Sequence, residues 1–262
     1  MEIEASVNIL NNKDWTWKVG GNISYVKSIV EKLPTNSLDK NRQGGQEIYT
    51  GRKLEDGSYE TVVVGGTAEG ERYGQMYGYI FEGLYSEADL DANKCISVDK
   101  TTSNGYTYSP AEYAKLSADQ QKKNHVLQPG DAKWKDINGD GMIDSKDQAY
   151  LGNSVPTWTG GFNSTVTWKN FSLYAKFDFA LGHTVFDSLR QGFLSNNQGE
   201  FNTTPDVFDT WSDTNTAAKY PRYTRADCLL KNNYRYSSLL AYKGDYLCVR
   251  DVTLSYNVPA NL

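Results

Sequence analysis

Phe171-Ser172-Leu173-Tyr174-Ala175-Lys176-Phe177-Asp178-Phe179-Ala180-Leu181-Gly182 is the stretch that decides the fold. Phe171, Leu173, Ala175, Phe177, Phe179 and Leu181 alternate with Ser172, Tyr174, Lys176, Asp178, Ala180 and Gly182. Successive side chains of a strand point to opposite faces, so this period means one apolar and one wet face. The length says more. Twelve residues at about 3.3 Å each reach roughly 40 Å. Tilted by about 45°, they cover roughly 28 Å along a membrane normal, close to the ~25 Å apolar band of an outer-membrane barrel. Soluble strands run nearer ~5–6 residues. Lys176 and Asp178, at mid-strand, would face the barrel lumen, or bulk water in a soluble sandwich.

Working outward, the same alternation recurs three times. Trp15, Trp17, Val19, Ile23 and Tyr25 alternate with Thr16, Lys18, Gly20, Asn22 and Ser24. Phe162, Val166 and Trp168 are interleaved with Asn163, Thr165 and Thr167. Val252, Leu254, Tyr256 and Val258 stand against Asp251, Thr253, Ser255 and Asn257. Lys169-Asn170 makes a tight turn between Trp168 and Phe171, and aromatics beside a short turn fit an interfacial girdle. In such barrels short turns face the periplasm and long loops face outside. The connection from 183 to about 243, and the chain up to about 155, are then expected to be extracellular.

The excursion from about 30 to 154 holds a hairpin, Glu47-Ile48-Tyr49 against Tyr59, Thr61 and Val63, turning at Asp56-Gly57. A glycine- and tyrosine-rich run follows from Gly74 to Tyr85. A short helix is expected after Ser109 as N-cap, with Pro110 at its first position, Glu112 completing a capping box, and Tyr113 and Leu116 as its apolar side. Loops this long are rare in compact soluble domains.

Composition agrees with a boundary protein. Hydrophobic residues are 39% and aromatics 13%, with 19 Tyr and 6 Trp. Amphipathic rings suit a border between apolar and wet surroundings. The net charge of −5, without a basic stripe, gives no attraction to nucleic acid. Cys95, Cys228 and Cys248 lie far apart, which argues against zinc. No stretch approaches ~18 consecutive apolar residues, so no membrane-spanning helix is expected. Met1-Glu2-Ile3-Glu4 is not followed by the apolar stretch of a signal peptide.

One motif carries chemistry. Asp136-Ile137-Asn138-Gly139-Asp140-Gly141-Met142-Ile143-Asp144-Ser145-Lys146-Asp147 places oxygen side chains at loop positions 1, 3, 5, 9 and 12 of the calcium-loop pattern. Glycine stands at position 6, where the chain must turn sharply. The expected ligands are Asp136, Asn138, Asp140, the Met142 carbonyl, Asp144 and Asp147. Asp147 replaces the usual Glu, so binding at the weaker, extracellular end of the range is expected. No helix pattern precedes Asp136, since Gln128-Pro129-Gly130-Asp131 reads as a turn. The expected role of Ca²⁺ is structural; the competing reading is an Asx-rich turn without metal.

No catalytic set is recognisable. His125 and His183 are distant in sequence, and no pair of carboxylates is marked for glycoside hydrolysis. The expectation is a protein that is not an enzyme, with substrate-binding residues unassigned. Trp211, Tyr220, Tyr223 and Tyr236 are either sugar-stacking rings or packing residues between loops.

The ordered motifs resemble a family. Gly130-Asp131-Ala132-Lys133-Trp134-Lys135-Asp136 with the acidic loop, Leu151-Gly152-Asn153, Gly160-Gly161-Phe162 and Asn170-Phe171-Ser172-Leu173 are similar to the C-terminal barrel half of SusC/RagA-type TonB-dependent outer-membrane transporters. So are Tyr77-Gly78-Tyr79 with Glu82-Gly83, Trp211 to Thr216 with Tyr220-Pro221-Arg222, and Val249 to Tyr256 with Pro259. The resemblance implies a barrel of about 22 strands, plugged by an N-terminal domain and located in the outer membrane. It implies import of glycans or peptides driven by the TonB complex, with a SusD-like surface lipoprotein as lid. The expected fold is all-β: a partial antiparallel transmembrane β-barrel over residues 1–262, with long extracellular loops, a short helix or two and no plug domain. An incomplete barrel would leave open sheet edges. The alternative is a soluble, secreted, calcium-binding β-sandwich that binds carbohydrate.

Overall fold

The computed structural model describes residues 1–89, 100–101, 115, 117–118, 127–195, 202–223 and 233–259. Ser109, Pro110, Glu112, Tyr113 and Leu116 of the expected helix lie outside these, as do Cys95, Cys228 and His125.

In chain order the strands are β1 Glu2–Asn11, β2 Trp15–Tyr25, β3 Gln46–Lys53, β4 Tyr59–Val64, β5 Gln75–Gly78, β6 Phe81–Leu84, β7 Lys100–Thr101, β8 Ala132–Trp134, β9 Met142–Ile143 and β10 Ala149–Asn153. There follow β11 Trp158–Trp168, β12 Phe171–Leu181, β13 Thr184–Phe186, helix α1 Ser188–Ser195, β14 Ala241–Lys243 and β15 Tyr246–Tyr256. Among the described residues no helix is long and apolar enough to cross a membrane.

The long strands form one antiparallel sheet in the order β1-β2-β11-β12-β15. The four alternating stretches lie in it, except that Gly182 of the third and Asn257 and Val258 of the fourth fall past the ends of their strands. β1 lies outside those stretches, and β15 starts earlier than its pattern predicts. Two register shifts matter. One lies between Asn8 and Leu10 of β1, and the other sets Lys176-Phe177 opposite Asp251 and Val249, leaving Arg250 as an extra residue. A bulge inserts one residue and flips the inside-outside parity beyond it. Leu247 and Val249 thereby share a face with Val252, Leu254 and Tyr256.

Both tight turns lie at one end of the sheet. Between β1 and β2, the Asn12 Oδ1 accepts the Asp14 and Trp15 amides at 3.1 and 2.9 Å. Between β11 and β12, Lys169 takes a left-handed φ of 49° and its amide donates to the Asp14 carbonyl at 2.9 Å. The long excursions leave from the opposite end and carry their own short sheets. The expected β3–β4 hairpin is present, with Glu47 opposite Val63 and Tyr49 opposite Thr61, and with Gly57 at φ 85°.

Hydrophobic packing sits in these excursions. One cluster joins Leu194, Tyr220, Tyr234, Leu239 and Leu240; a second joins Tyr79, Ala132, Trp134 and Ile143; Phe81 packs against both. In the five-stranded sheet only Ala180 is a buried hydrophobic residue among those described. Its two outer strands, β1 and β15, are not joined to each other, so the described sheet is open.

Candidate functional site

Residues directly opposite one another in an antiparallel pair share a face. The register therefore assigns one continuous apolar surface: Ile3, Val7 and Leu10; Trp15, Trp17, Val19 and Ile23; Trp158, Phe162, Val166 and Trp168; Phe171, Leu173, Phe177, Phe179 and Leu181; Leu247, Val249, Val252, Leu254 and Tyr256. Among the described residues nothing covers it: Val7, Val252 and Leu254 are 58, 62 and 70% exposed. A contiguous apolar face of five long strands far exceeds the few hundred Å² that soluble monomers leave open.

Aromatic rings edge this face. At the tight-turn end Trp15 stacks on Trp168 at 5.6 Å, Trp168 on Phe171 at 6.1 Å, and Phe171 meets Tyr256 at 4.6 Å. At the other end Tyr25 meets Trp158 at 4.7 Å. The rise from Trp158 to Trp168 along β11 is about 33 Å, or about 24 Å with the usual barrel tilt, matching the apolar band between two girdles.

The opposite face is polar and concave. Glu2, Glu4, Lys18, Asn22, Asn163, Lys176 and Asp178 line a hollow of about 750 Å³. Lys176 and Asp178 are placed on the wet face, as their positions in the repeat required. Asp178 is not open to solvent alone: the bulge residue Arg250 holds it in a two-pronged ion pair, Nη2 to Oδ2 at 2.9 Å and Nε to Oδ1. Sequence spacing could not give this pairing, because it depends on the bulge.

The acidic loop 136–147 is compact. Asp136 turns one carboxylate oxygen to the Gly139 amide at 2.7 Å and the other to the Gly141 amide at 2.8 Å. Asn138 accepts the Asp140 amide at 3.2 Å and donates to the Asp140 carboxylate at 2.9 Å. The fully buried Asp147 accepts the Ile137 and Asp144 amides at 2.9 and 2.7 Å. Burial, against these amide bonds and together with the charges of Asp144 and Asp136, raises its pKa to about 6. The β3–β4 hairpin supports the loop's far end. Tyr49 donates its hydroxyl to Asp144 at 3.1 Å, and Lys146 pairs with Glu47 at 2.8 Å. Met142 contributes backbone in β9, which pairs in parallel with β7. In this arrangement no three acidic, histidine or cysteine side chains among the described residues converge at metal-holding distance. The donor set is suited to a hard cation by chemistry, and the two oxygens of Asp136 keep lone pairs beyond those that accept the glycine amides.

A second polar centre escaped the sequence reading. Asp131, fully buried, accepts Arg222 Nε at 2.7 Å, Asn233 Nδ2 at 3.0 Å and the Gln128 amide at 2.9 Å. Asn233 accepts the Ala132 amide at 2.9 Å. Above it Trp211 lies on Gly130, whose φ is 88° and where an added Cβ would come within 2.4 Å of the ring. Trp211 and the buried Tyr220 are thus packing residues between the excursions, whereas Tyr236 stays partly exposed.

The fold defines a class: an all-β chain built on an open antiparallel sheet with one apolar and one polar face. The comparisons agree. The chain is 27% identical over 262 residues to TonB-dependent receptor P3 of Formosa agariphila, a match spanning 98% of this chain and 21% of that protein. It is 31% identical over 132 residues to TonB-dependent receptor P26 of the same organism, covering 50% of this chain and 13% of the relative. No family profile matches. Among solved structures, the RagAB peptide transporter aligns over 100% of this chain and 23% of its own, with a TM-score of 0.55 and 18% identity. The same importer in its closed-closed state gives a TM-score of 0.53 at 18% identity. The chain spans about a fifth of the length of the receptor and transporter it matches end to end. The chain is thus similar over nearly its whole length to a TonB-dependent receptor, and in fold to the RagAB transporter. The proteins it matches are receptors and a transporter.

Proposed function

We propose that this chain forms part of the wall of an outer-membrane, TonB-dependent importer of glycans or peptides. The observation that carries the reading is the exposed apolar face shared by five strands and edged by aromatic rows at both ends. Lipid is the solvent for which such a face is built. The same face speaks against a soluble carbohydrate-binding sandwich, which would bury it against a second sheet. In this reading the tight turns lie in the periplasm and the excursions outside. The whole receptor works with the TonB complex and a SusD-like surface lipoprotein.

The loop 136–147 is proposed to hold Ca²⁺ through Asp136, Asn138, Asp140, the Met142 carbonyl, Asp144 and Asp147, stiffening the outer excursion. The donor pattern supports this, as does the buried Asp147 carboxylate beside two like charges, which a divalent cation would neutralise.

The membrane reading is tested by tryptophan fluorescence of the chain reconstituted with brominated-chain lipids. Trp15, Trp17, Trp158 and Trp168 lie on the apolar face, so strong quenching is expected. Emission unaffected by bromination would overturn the proposal.

A further inference from the structure

A smaller cavity of about 280 Å³ lies among the excursions, lined by Gly45, Gln46, Gly65, Gln75, Tyr77 and Tyr236 with their neighbours. It is built by both excursions: the base of the β3–β4 hairpin and β5 supply one side, and Tyr236 the other. Phe186 backs the Tyr236 ring at 3.9 Å between centroids, and Tyr150 props Tyr77 edge-on at 5.5 Å. Gly65 leaves Tyr77 uncovered, since a Cβ there would lie 3.5 Å from the ring. Two primary amides complete the lining. Gln75 accepts the Tyr77 hydroxyl at 2.7 Å, and Gln46 donates to Gln148 at 2.7 Å. The Gln75 amide nitrogen and the Gln46 carbonyl have no partner among the described residues. No residue lining the cavity carries a charged side chain.

We infer that this cavity is a subsite for one ring of a neutral saccharide, a reading that rests on the importer function proposed above. Two rings held by packing offer apolar faces to the C–H side of a sugar, and the amides offer a donor and an acceptor to its hydroxyls. Burial pushes the pKa of both tyrosine hydroxyls up; the Tyr77 hydrogen is engaged by Gln75, which leaves Tyr236 as the hydroxyl donor. A peptide is the poorer fit, because the nearest charges, Arg42, behind Gly65, and Glu71, are already paired with each other and leave no free counter-charge for its termini and side chains. The volume is at the lower limit of ligand cavities, ~300 Å³, which suits a single ring of a longer chain. The cavity lies beyond the end of the sheet from which both excursions leave, where cargo would first meet the receptor.

The test is calorimetric titration of the full chain, in detergent micelles and in buffer, with maltohexaose, laminarihexaose, cellohexaose, triglycine and N-acetyl-triglycine amide. At least one hexasaccharide is expected to bind. Tyr77→Ala and Tyr236→Ala should each weaken it by about tenfold or more, while Tyr77→Phe, which keeps the ring, should stay within about threefold. If Tyr77→Ala fails to fold, Gln75→Leu with the ring intact should still weaken binding severalfold. Binding of none of the hexasaccharides by folded chain overturns the inference, as does triglycine binding that is lost with the same substitutions. A chain that inserts into brominated lipid yet ignores every sugar sinks the subsite alone. Absence of insertion sinks the importer reading, and the titration in buffer still decides the subsite.

Discussion

Arg222 Nε donates to Asp131 Oδ1 at 2.7 Å, tying the second long excursion to the first across 91 positions of sequence. Asp131 has no exposed side-chain surface and Arg222 keeps 22%. Removing the cation takes its described charged partner from a buried carboxylate, a change that costs about 3–5 kcal/mol. Arg222→Met is therefore expected to lower stability strongly. Asp131→Leu with Arg222→Met should recover part of the loss, since no charge is then stranded. Urea unfolding of the two variants checks this; equal losses would show that the pair does not act as a unit.

The two faces of β15 give a paired prediction. Val252 lies on the apolar face and its neighbour Thr253 on the polar one. Val252→Arg near the middle of the band should cost about 2–4 kcal/mol in lipid, whereas Thr253→Arg should cost well under 1. Equilibrium unfolding from bilayers measures both. Reversal of the order would mean that the apolar face does not meet lipid.

The loop should be sensitive to pH when metal is withheld. Asp147 is held at about 6 by burial, above the ordinary carboxylate value. Between about pH 4 and pH 6 the folded loop thus binds more protons than the unfolded chain. Its stability is highest below that window, falls as pH rises through it and is flat above. Hydrogen exchange at the Ile137 and Asp144 amides, which bond to Asp147, reports the change. Asp147→Asn should flatten the profile.

Calcium should reverse that trend. Titration at pH 7.5 is expected to give binding in the range of about 10⁻⁴–10⁻³ M, with slower exchange at the same amides. Asp140→Ala and Asp144→Ala should each abolish the heat. A folded loop that takes up no Ca²⁺ would leave the Asx-rich turn as the correct description.

Much of the sheet was readable because β2, β11 and β12 pair without a register shift, so their alternation keeps one phase. β15 was readable only from Val252 onward. The extra Arg250 shifts parity, so Leu247 and Val249 look out of phase with the rest of their own face. β1 carries the signal in Ile3, Ala5 and Val7, but its start is polar and its bulge at Ile9 blurs the end. The acidic loop was legible as a pattern, whereas its actual hydrogen bonding was not. Asp131 reads locally only as part of a turn and a family motif, because its partners Arg222 and Asn233 lie about a hundred positions away. The cavity at Tyr77 and Tyr236 joins residues from both excursions, and no local period encodes such a meeting.

The seam between β2 and β11 sets the tempo of assembly. Trp17 Nε1 meets Ser164 Oγ at 2.9 Å across 147 positions, while the β1–β2 and β11–β12 hairpins each close over a turn of two or three residues. Local hairpins form in about 1–10 μs, and long-range pairing waits for the entropy of ring closure. The two hairpins should therefore arise early and independently, and their joining along β2 and β11 should be the slow event. Shortening the excursion between them would speed that step only slightly, because closure entropy grows with the logarithm of length, at about 0.6 kcal/mol per doubling. A refolding clock for this chain is thus set at the seam, far from the turns that start it.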